Sequence, residues 1–566
     1  MQNRSIDEVL LASYSDDIPA FLKKIFAARS LKESDLSLSL SDLLKPSFAQ
    51  LSIAIELLES AIVLDKRILI IGDFDADGAT ASAVAVKALR LMGTKQVDFL
   101  VPNRFKHGYG LSPEIVTEAK REKNPNLIIT VDNGISSNEG TQLARSLDID
   151  VIITDHHLPS HELPMANAII NPNMVGCDFP SKNLAGVGVC FYLFSALKTH
   201  LEKTGYFNDR NIPIPDLREV LDLVALGTVA DVVKLDRNNR ILIKEGIERI
   251  RQKRCSKGIL AILELTKRPA ETLQASDLGF SVAPRINAAG RLSDISQGIR
   301  CLLSDDINDA RRYAATLEDF NKKRRQEQEK MQLEANAIVA KQSINDEPFA
   351  ISLFDEGWHE GIVGIVAGKI KEDYHCPCAI FAKSGEFLKG SIRSISEVHV
   401  KDLLDLMDRD NPGLIEKFGG HAMAAGLTLK PENFETFQKG FSEAVNRHLN
   451  GEKPSVELLT DGVLDASVMT LANARLLQSA GPWGQGFEEP IFYGYFELIE
   501  QRIVGEKHLK CTLKQVGDSR IFEGIAFFQS KLKDKKAQIA YRLNVNHFRG
   551  VDSLQLMIES IEQHPV

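Results

Sequence analysis

Three aspartates alternate in Asp73-Phe-Asp-Ala-Asp77, directly after the apolar run Ile68-Leu-Ile-Ile71. Carboxylates this close repel one another and raise each other's pKa unless a cation sits among them, so the pattern points to a divalent metal site. A D-x-D-x-D run also occurs in calcium loops and in solvated acidic turns, and the stretch by itself leaves those readings open. Two further turns carry the same chemistry: Val131 is followed by Asp132-Asn-Gly134, and Thr154 by Asp155-His156-His157. A fourth acid, Asp231, ends Leu226-Gly-Thr-Val-Ala-Asp231 and taken alone reads as a helix cap. His156 and His157 are neighbours, so in an extended segment their rings point to opposite sides; one would ligate metal and the other meet substrate.

These residues need a scaffold that brings them together. Residues 68–71 have the continuous β-branched look of a strand buried on both faces, Gly72 and Gly78 bracket a sharp turn, and a helical pattern follows from Ala79 to Met92. A helical stretch at 49–63 precedes it, and strand patterns recur at 97–101, 127–131 and 150–154 with helical stretches between. Strands spaced by helices predict a parallel sheet. Each chemical turn then falls on the carboxyl edge, where open α/β sheets bind ligands.

Beyond Ser293 the chain changes character. Residues 308–342 are charged, Gln-rich and free of Gly and Pro, which predicts a long exposed connecting helix; its Lys322-Lys-Arg-Arg325 run reads as a solvated face in preference to a nucleic-acid contact. Residues 347–450 read as a smaller α/β unit with Gly-rich turns at 357–364 and 419–426, suited either to phosphate binding through backbone amides or to tight packing. From 454 to 566 the pattern is β-rich, with strands expected at 492–499, 509–513, 521–528, 538–545 and 554–561. Five strands with basic loops fit an OB barrel, a fold that binds single strands by aromatic stacking and a cationic groove. Gly481-Pro-Trp-Gly-Gln-Gly-Phe487, at its entrance, reads as a structural turn.

Composition bounds the rest. With 566 residues, 44% hydrophobic and 26% charged, the chain reads as a globular protein of roughly three or four domains. No apolar run approaches the roughly 18 residues of a membrane helix, and Met1-Gln-Asn-Arg-Ser-Ile-Asp7 opens neither a signal nor a transit peptide, so no membrane partner and a cytoplasmic location are expected. The seven cysteines are odd in number and scattered, and Cys376-Pro-Cys378 is too tight for a zinc half-site; they read as packing residues. The net charge of −9 argues against a polymer-coat binder but leaves room for a local basic groove, and residues 501–566 carry 11 Lys and Arg against 7 Asp and Glu.

Taken together the motifs resemble the DHH phosphoesterase superfamily: Asp73-Phe-Asp-Ala-Asp-Gly78, Val131-Asp-Asn-Gly134, Asp155-His156-His157 and Gly227-Thr-Val-Ala-Asp231. Further stretches are similar to the RecJ family of bacterial single-strand-specific DNA exonucleases. They are Pro102-Asn-Arg-Phe-Lys-His-Gly-Tyr-Gly110, Ala185-Gly-Val-Gly188, Pro284-Arg-Ile-Asn-Ala-Ala-Gly-Arg291, Gly357-Trp-His-Glu-Gly-Ile-Val-Gly364, Gly390-Ser-Ile-Arg393 and Phe418-Gly-Gly-His-Ala-Met-Ala-Ala-Gly426. The resemblance implies an N-terminal helical extension (1–45), a DHH catalytic domain with a parallel sheet (46–305), a connecting helix (306–346), a smaller α/β DHHA1 domain (347–453) and an OB-fold single-strand-binding domain (454–566).

The same resemblance implies a two-metal, 5′-to-3′ exonuclease that degrades single-stranded DNA to mononucleotides in recombination and repair. Asp75, Asp77, Asp132, His156 and Asp231 would hold two divalent ions, Mn2+ or Mg2+, with Asp77 and Asp132 candidates to bridge them. His157 would hold a phosphate oxygen or assist proton transfer, and Asp73 would orient ligands or the attacking water. Arg104, Ser391 and Arg393 would grip the 5′-phosphate and Arg285 the next one, with Tyr109, Asn287 and His421 also in contact with substrate. A monomer is expected, with a helicase and a single-stranded-DNA-binding protein as partners. Pyrophosphatases of the superfamily carry a histidine where this chain has Ile71, which counts against pyrophosphate. Two alternatives are a phosphodiesterase for very short or cyclic oligonucleotides, which would lack the long C-terminal barrel, and a non-catalytic DHH protein, which would have lost metal ligands.

Overall fold

The strand Ile68–Gly72 is buried along its whole length, as is Leu127–Val131, because helices cover both faces of the sheet they form. The computed structural model describes residues 1–103, 107–342, 348–454, 457–505, 507–548 and 550–562. The sheet order is Val97–Leu100, Ile68–Gly72, Leu127–Val131, Asp150–Thr154, Ala168–Ile170, and every pairing is parallel. The last of these strands is absent from the sequence reading: three residues are too few to show a period. The helix after Ile68–Gly72 also starts earlier than expected, at Ala76, because Asp75 is its N-cap and accepts from the Gly78 amide at 3.0 Å.

The chain forms two compact units. One comprises Met1–Asn287, Ile295–Ala315 and Glu457–Val566; the other comprises Ala288–Asp294 and Thr316–Val456. The continuous helix Ile307–Gln342 contains the boundary between them. Within it Lys322, Lys323 and Arg325 are exposed, as expected for a solvated face.

In the first unit the C-terminal strands Phe492–Val504, His508–Gln515, Ile521–Ala526, Lys536–Phe548 and Val551–Glu562 close into a five-stranded barrel, with one parallel pairing between the third and the last. Their alternating burial matches an apolar interior facing a wet exterior. The N-terminal extension packs on this barrel despite its distance along the chain. Tyr14, Leu22, Ile25 and Phe26 share a core with Phe492, Phe496 and Tyr541, and Gln2–Asn3 pairs with Leu459–Thr460. Arg29, buried, grips Asp461 through Nη2 at 3.1 Å. The Gly481–Phe487 segment is a structural turn: Trp483 stacks on Phe487, and the Arg240 guanidinium lies 4.4 Å from the Phe487 ring.

In the second unit the sheet order is Lys417–Gly420, Ala424–Leu429, Phe387–Arg393, Cys378–Ser384, Ile351–Asp355, antiparallel except for the last pair. Here 419–426 is a hairpin: Gly426 pairs with Gly419 on one side and Ser391 on the other, so it belongs to the ladder and not to an open phosphate loop. Six of the seven cysteines are buried and all are free, consistent with packing.

Candidate metal centre

Four segments deliver acidic or imidazole groups to the carboxyl edge of the parallel sheet. Asp73 leaves the end of Ile68–Gly72, Asp75 caps the following helix, and Asp77 lies in its first turn, 1% exposed. Asp132 follows Leu127–Val131 with φ 63°, a left-handed conformation that non-glycine residues adopt only when their surroundings hold them there. Asp231 is the C-cap of Leu221–Ala230, as its sequence context suggested, yet its carboxylate also reaches the cluster.

The atoms converge closely. His156 Nε2 stands 3.2 Å from Asp132 Oδ1 and 3.5 Å from Asp231 Oδ2. Three sets of ligand atoms each lie within 4.8 Å of one another: Asp132, His156 and His157; Asp77, His156 and Asp231; Asp73, Asp75 and Asp132. Asp132 and His156 each belong to two of these sets. Asp73 belongs to one of them, with Asp75 and Asp132. Neither Asp132 Oδ1 nor Asp231 Oδ2 accepts a hydrogen bond among the described residues. Buried acceptors arranged around a common point, with imidazole beside them, are the donor set of a divalent cation such as Mn2+ or Mg2+.

The electrostatics agree. Burial, then the neighbouring Asp75 charge, lift the Asp77 pKa to about 7, although the Val187 and Gly186 amides pull the other way. Burial and the charge of Asp77 raise Asp132 and Asp231 well above the usual carboxylate range. Cations remove that penalty. Two glycines permit the packing: a Cβ on Gly186 would stand 2.4 Å from Asp132 Oδ1, and one on Gly227 would stand 2.8 Å from Asp77 Oδ1.

The two histidine rings are not on opposite sides. Their centroids are 4.4 Å apart because Asp155 gathers the turn: its Oδ1 accepts from the His156 amide at 2.7 Å and the His157 amide at 3.1 Å, and pairs with His157 Nδ1 at 2.7 Å. The segment is a side-chain-capped turn, not the extended one assumed from sequence. Burial lowers the His157 pKa, but the Asp155 hydrogen bond and charge outweigh it and lift the group to about 9. Sequence reasoning gave Asp155 no role. It is 1% exposed and binds the His157 ring and the backbone amides of both histidines; its place as the first letter of the Asp155-His156-His157 motif was the available signal.

The expected substrate contacts divide. Tyr109, 53% exposed, presents its ring edge-on to His157 at 6.2 Å and Phe74 at 5.8 Å, beside the metal cluster. Asn287 accepts from the Ala76 amide at 2.7 Å, so it holds the start of the acidic helix. Arg285 is 7% exposed and donates to the Ser281 carbonyl. Arg104 lies outside the described residues. In the second unit Arg393 Nη1 donates to Ser391 Oγ at 2.8 Å, and a Cβ on Gly364, in the first turn of Val363–Tyr374, would stand 3.0 Å from both side chains. Burial lowers the pKa of Arg393. His421 is exposed, between two strands of the hairpin.

A parallel sheet that gathers carboxylates and imidazoles from four segment ends, in a chain that closes with a five-stranded barrel, defines a metal-dependent phosphoesterase of the DHH type. Residues 67–228 match the DHH family, N-terminal domain, residues 346–447 the DHHA1 domain and residues 460–560 the RecJ OB domain. The single-stranded-DNA-specific exonuclease RecJ of Escherichia coli (strain K12) is 48% identical over 99% of this chain and 98% of that protein. The protein of the same name from Dickeya dadantii (strain 3937) is 47% identical over 96% of each. The crystal structure of RecJ from Thermus thermophilus in complex with Mn2+ superposes on 99% of this chain and 77% of that one, with 28% identity and a TM-score of 0.79. The corresponding Mg2+ complex gives 26% identity and a TM-score of 0.75. The chain belongs to the RecJ family. Among the described residues no helix is long and apolar enough to cross a membrane.

Proposed function

We propose that this protein is a metal-dependent exonuclease that degrades single-stranded DNA from the 5′ end and releases mononucleotides, in recombination and repair. The observation that carries the reading is the convergence of Asp75, Asp77, Asp132, Asp231 and His156 on overlapping sets of ligand atoms within 4.8 Å, in a chain 48% identical to a protein named for that activity. These five residues would hold two divalent ions. When bound, the ions lower the pKa of a water and offset the charge that develops on the phosphodiester during in-line displacement.

The chain's own residues do the rest. His157, held by Asp155, donates to a phosphate oxygen or to the departing oxygen. Tyr109 offers an exposed ring beside it for the terminal base. Arg393 and Ser391, next to the first turn of a helix, have the donors to hold a 5′-phosphate, which a guanidinium fork grips better than an ammonium does. Arg104 and Arg285 are further candidates for phosphate contacts in this reading, as, separately, is His421. The barrel retains longer strands through its cationic, aromatic surface. On this reading the protein works in the cytoplasm as a monomer, with a helicase to open duplexes and a single-stranded-DNA-binding protein to present the strand.

Replacing Asp132 with Ala tests the assignment: hydrolysis should vanish while single-strand binding in EDTA stays within twofold or so of the starting protein. Turnover equal to the unaltered protein would remove Asp132 from the centre. Arg393→Ala separates end recognition from general binding, since it should slow 5′-phosphorylated strands strongly and 5′-hydroxyl strands little. Equal slowing of both would assign Arg393 to the fold.

A further inference from the structure

Asp231 joins the metal cluster by a different route from the other candidate ligands. Asp75, Asp77, Asp132 and His156 lie just past strands of the parallel sheet, whereas Asp231 ends the helix Leu221–Ala230 and opens a loop, 232–236, that leads to the helix Arg237–Arg251. The chain turns at once. Val232 has φ 60°, a left-handed backbone that is a genuine outlier for a β-branched residue, and it is 62% exposed, so burial does not offset the strain. Such a conformation persists only where the surroundings over-determine it. The aim of the Asp231 carboxylate, one residue earlier, therefore depends on what holds this loop.

The loop is held from two sides. From within the catalytic domain, Asp236 Oδ2 accepts from Ser181 Oγ at 2.6 Å and Asn183 Nδ2 at 3.2 Å, and Asn239 Nδ2 donates to the Lys234 carbonyl at 3.0 Å. From the other side comes the segment that enters the barrel, 250 positions further along: the Leu235 amide donates to the Gln485 carbonyl at 2.7 Å. Glycines flank Gln485 and let the two stretches close on each other. A Cβ on Gly484 would stand 2.7 Å from Leu235 Cδ1, and one on Gly486, whose φ is 69°, 2.6 Å from Lys234 Cγ. Leu235 is buried, so a collision there moves the loop and not a free side chain.

The entering segment is stiff enough to act as a stop. Gly484 and Phe487 exchange both backbone hydrogen bonds at 3.0 Å. Trp483 stacks on Phe487 with centroids 4.6 Å apart, and its Nε1 donates to the Leu477 carbonyl at 2.8 Å. The Glu488 carbonyl accepts from Arg29 Nη2 at 2.8 Å and Nε at 3.1 Å, which ties the segment to the N-terminal extension. Arg240, on the helix that the loop leads into, sets its guanidinium against the Phe487 ring. Barrel, extension and catalytic domain thus meet against residues three and four positions past Asp231.

We propose that residues 484–487 are a positioning element of the metal centre: they seat the 232–236 loop and so hold the Asp231 carboxylate, 3.5 Å from His156 Nε2, in reach of its ion. The inference rests on the assignment of Asp231 as a ligand. These residues act through Lys234 and Leu235 and not on the substrate. In this role the C-terminal domain shapes the catalytic centre itself, apart from any strand it retains.

The test is Gly484→Ala in the full-length protein. Calorimetry on the metal-free protein reads Mn2+ affinity, hydrogen exchange of the Leu235 amide before metal is added reads the contact, and kcat and KM are taken on a 5′-phosphorylated trinucleotide. Mn2+ affinity should fall on the order of ten- to a hundredfold, the range found when groups that orient a metal ligand are lost. The Leu235 amide should lose protection, and kcat should fall while KM stays within twofold. Phe487→Leu, which keeps apolar volume but removes the stacked ring, should show a smaller loss in the same direction. In a Leu235→Ala background, where the new methyl has room, Gly484→Ala should cost nothing further. Ile539→Val, in the barrel core, is the control for plain destabilisation: it should lower urea stability and leave Mn2+ affinity unchanged. Mn2+ affinity within twofold in Gly484→Ala, an equal loss in Ile539→Val, or full additivity with Leu235→Ala would overturn the proposal. Asp231→Ala separates it from the assignment beneath it. Mn2+ binding unchanged in Asp231→Ala would remove the ligand and the positioning element together, whereas weakening by Asp231→Ala but not by Gly484→Ala would remove the positioning element alone.

Discussion

Gly186→Ala adds one methyl group at a residue that ligates nothing, and the structure makes its effect calculable. The new Cβ would stand 2.4 Å from the Cβ and Oδ1 of Asp132 and 2.6 Å from its Cγ. Ordinary contact begins near 3.4 Å, so Asp132 or the start of the helix Gly186–Lys203 must yield by about 1 Å. Neither yields easily: Asp132 is buried on a left-handed backbone, and the Gly186 amide is bound to Asp77 Oδ2 at 2.6 Å. A misplacement of about 1 Å in a catalytic group costs on the order of 100-fold in rate, or about 2.7 kcal/mol of transition-state stabilisation. Overpacking should cost a further ~1–3 kcal/mol of stability. Gly188→Ala is the control, since two residues along the same helix the nearest atoms its Cβ would meet belong to the flexible side chain of Leu184, at 3.2 Å. The assay is kcat on a short 5′-phosphorylated oligonucleotide, with Mn2+ affinity by calorimetry and unfolding by urea. If Gly186→Ala kept kcat and Mn2+ affinity within twofold, the claim that Asp132 is held in place by contact with this helix would be wrong.

Three other outcomes follow from the same geometry. Asp155→Asn removes the group that raises the His157 pKa, so the imidazole should titrate well below its present value of about 9, as read by NMR, and turnover should fall by one to two orders of magnitude; an unmoved titration would release Asp155 from its positioning role. Metal-free protein should lose stability as the pH rises from about 4 to about 7, because folded Asp77, with its pKa raised to about 7, binds a proton that the unfolded chain has given up, and the slope should be at most about 1.4 kcal/mol per pH unit from this group. Saturating Mn2+ should flatten or reverse that trend in thermal melts, and an identical trend with and without metal would separate Asp77 from the ions. Arg29→Ala leaves Asp461 buried without its partner and should cost about 3–5 kcal/mol in urea unfolding, whereas a loss below about 1 kcal/mol would show that the N-terminal extension contributes little to the barrel.

How far the sequence carried depends on whether a feature was local. Asp75, Asp77, Asp132 and His156 could be brought together on paper because each lies just past an apolar strand, and parallel topology sends such ends to one edge; Asp231, which reads as a helix cap, joined them only through the family resemblance. The five barrel strands were legible from alternation alone. What stayed hidden were relations between distant segments and roles taken by side chains already counted elsewhere. Asn287, read from sequence as a substrate contact, accepts from the first amide of the acidic helix, 211 positions away in sequence. Asp155 binds backbone and ring nitrogens of its own turn, which the alternation rule for extended chains cannot express. The extension that carries Tyr14 and Arg29 has no chemical motif, yet its apolar residues complete the barrel core, a pairing that no local pattern reports.

The most direct test is digestion of one single strand labelled at its 5′ end and, separately, at its 3′ end, alongside the matching duplex, with Mn2+, Mg2+ or EDTA. The account predicts that the 5′ label appears first and only as a mononucleotide, that the 3′ label stays on progressively shorter strands until late, that the duplex resists, and that EDTA stops all of it. Early release of the 3′ label, internal cuts, or digestion that persists in EDTA would contradict it.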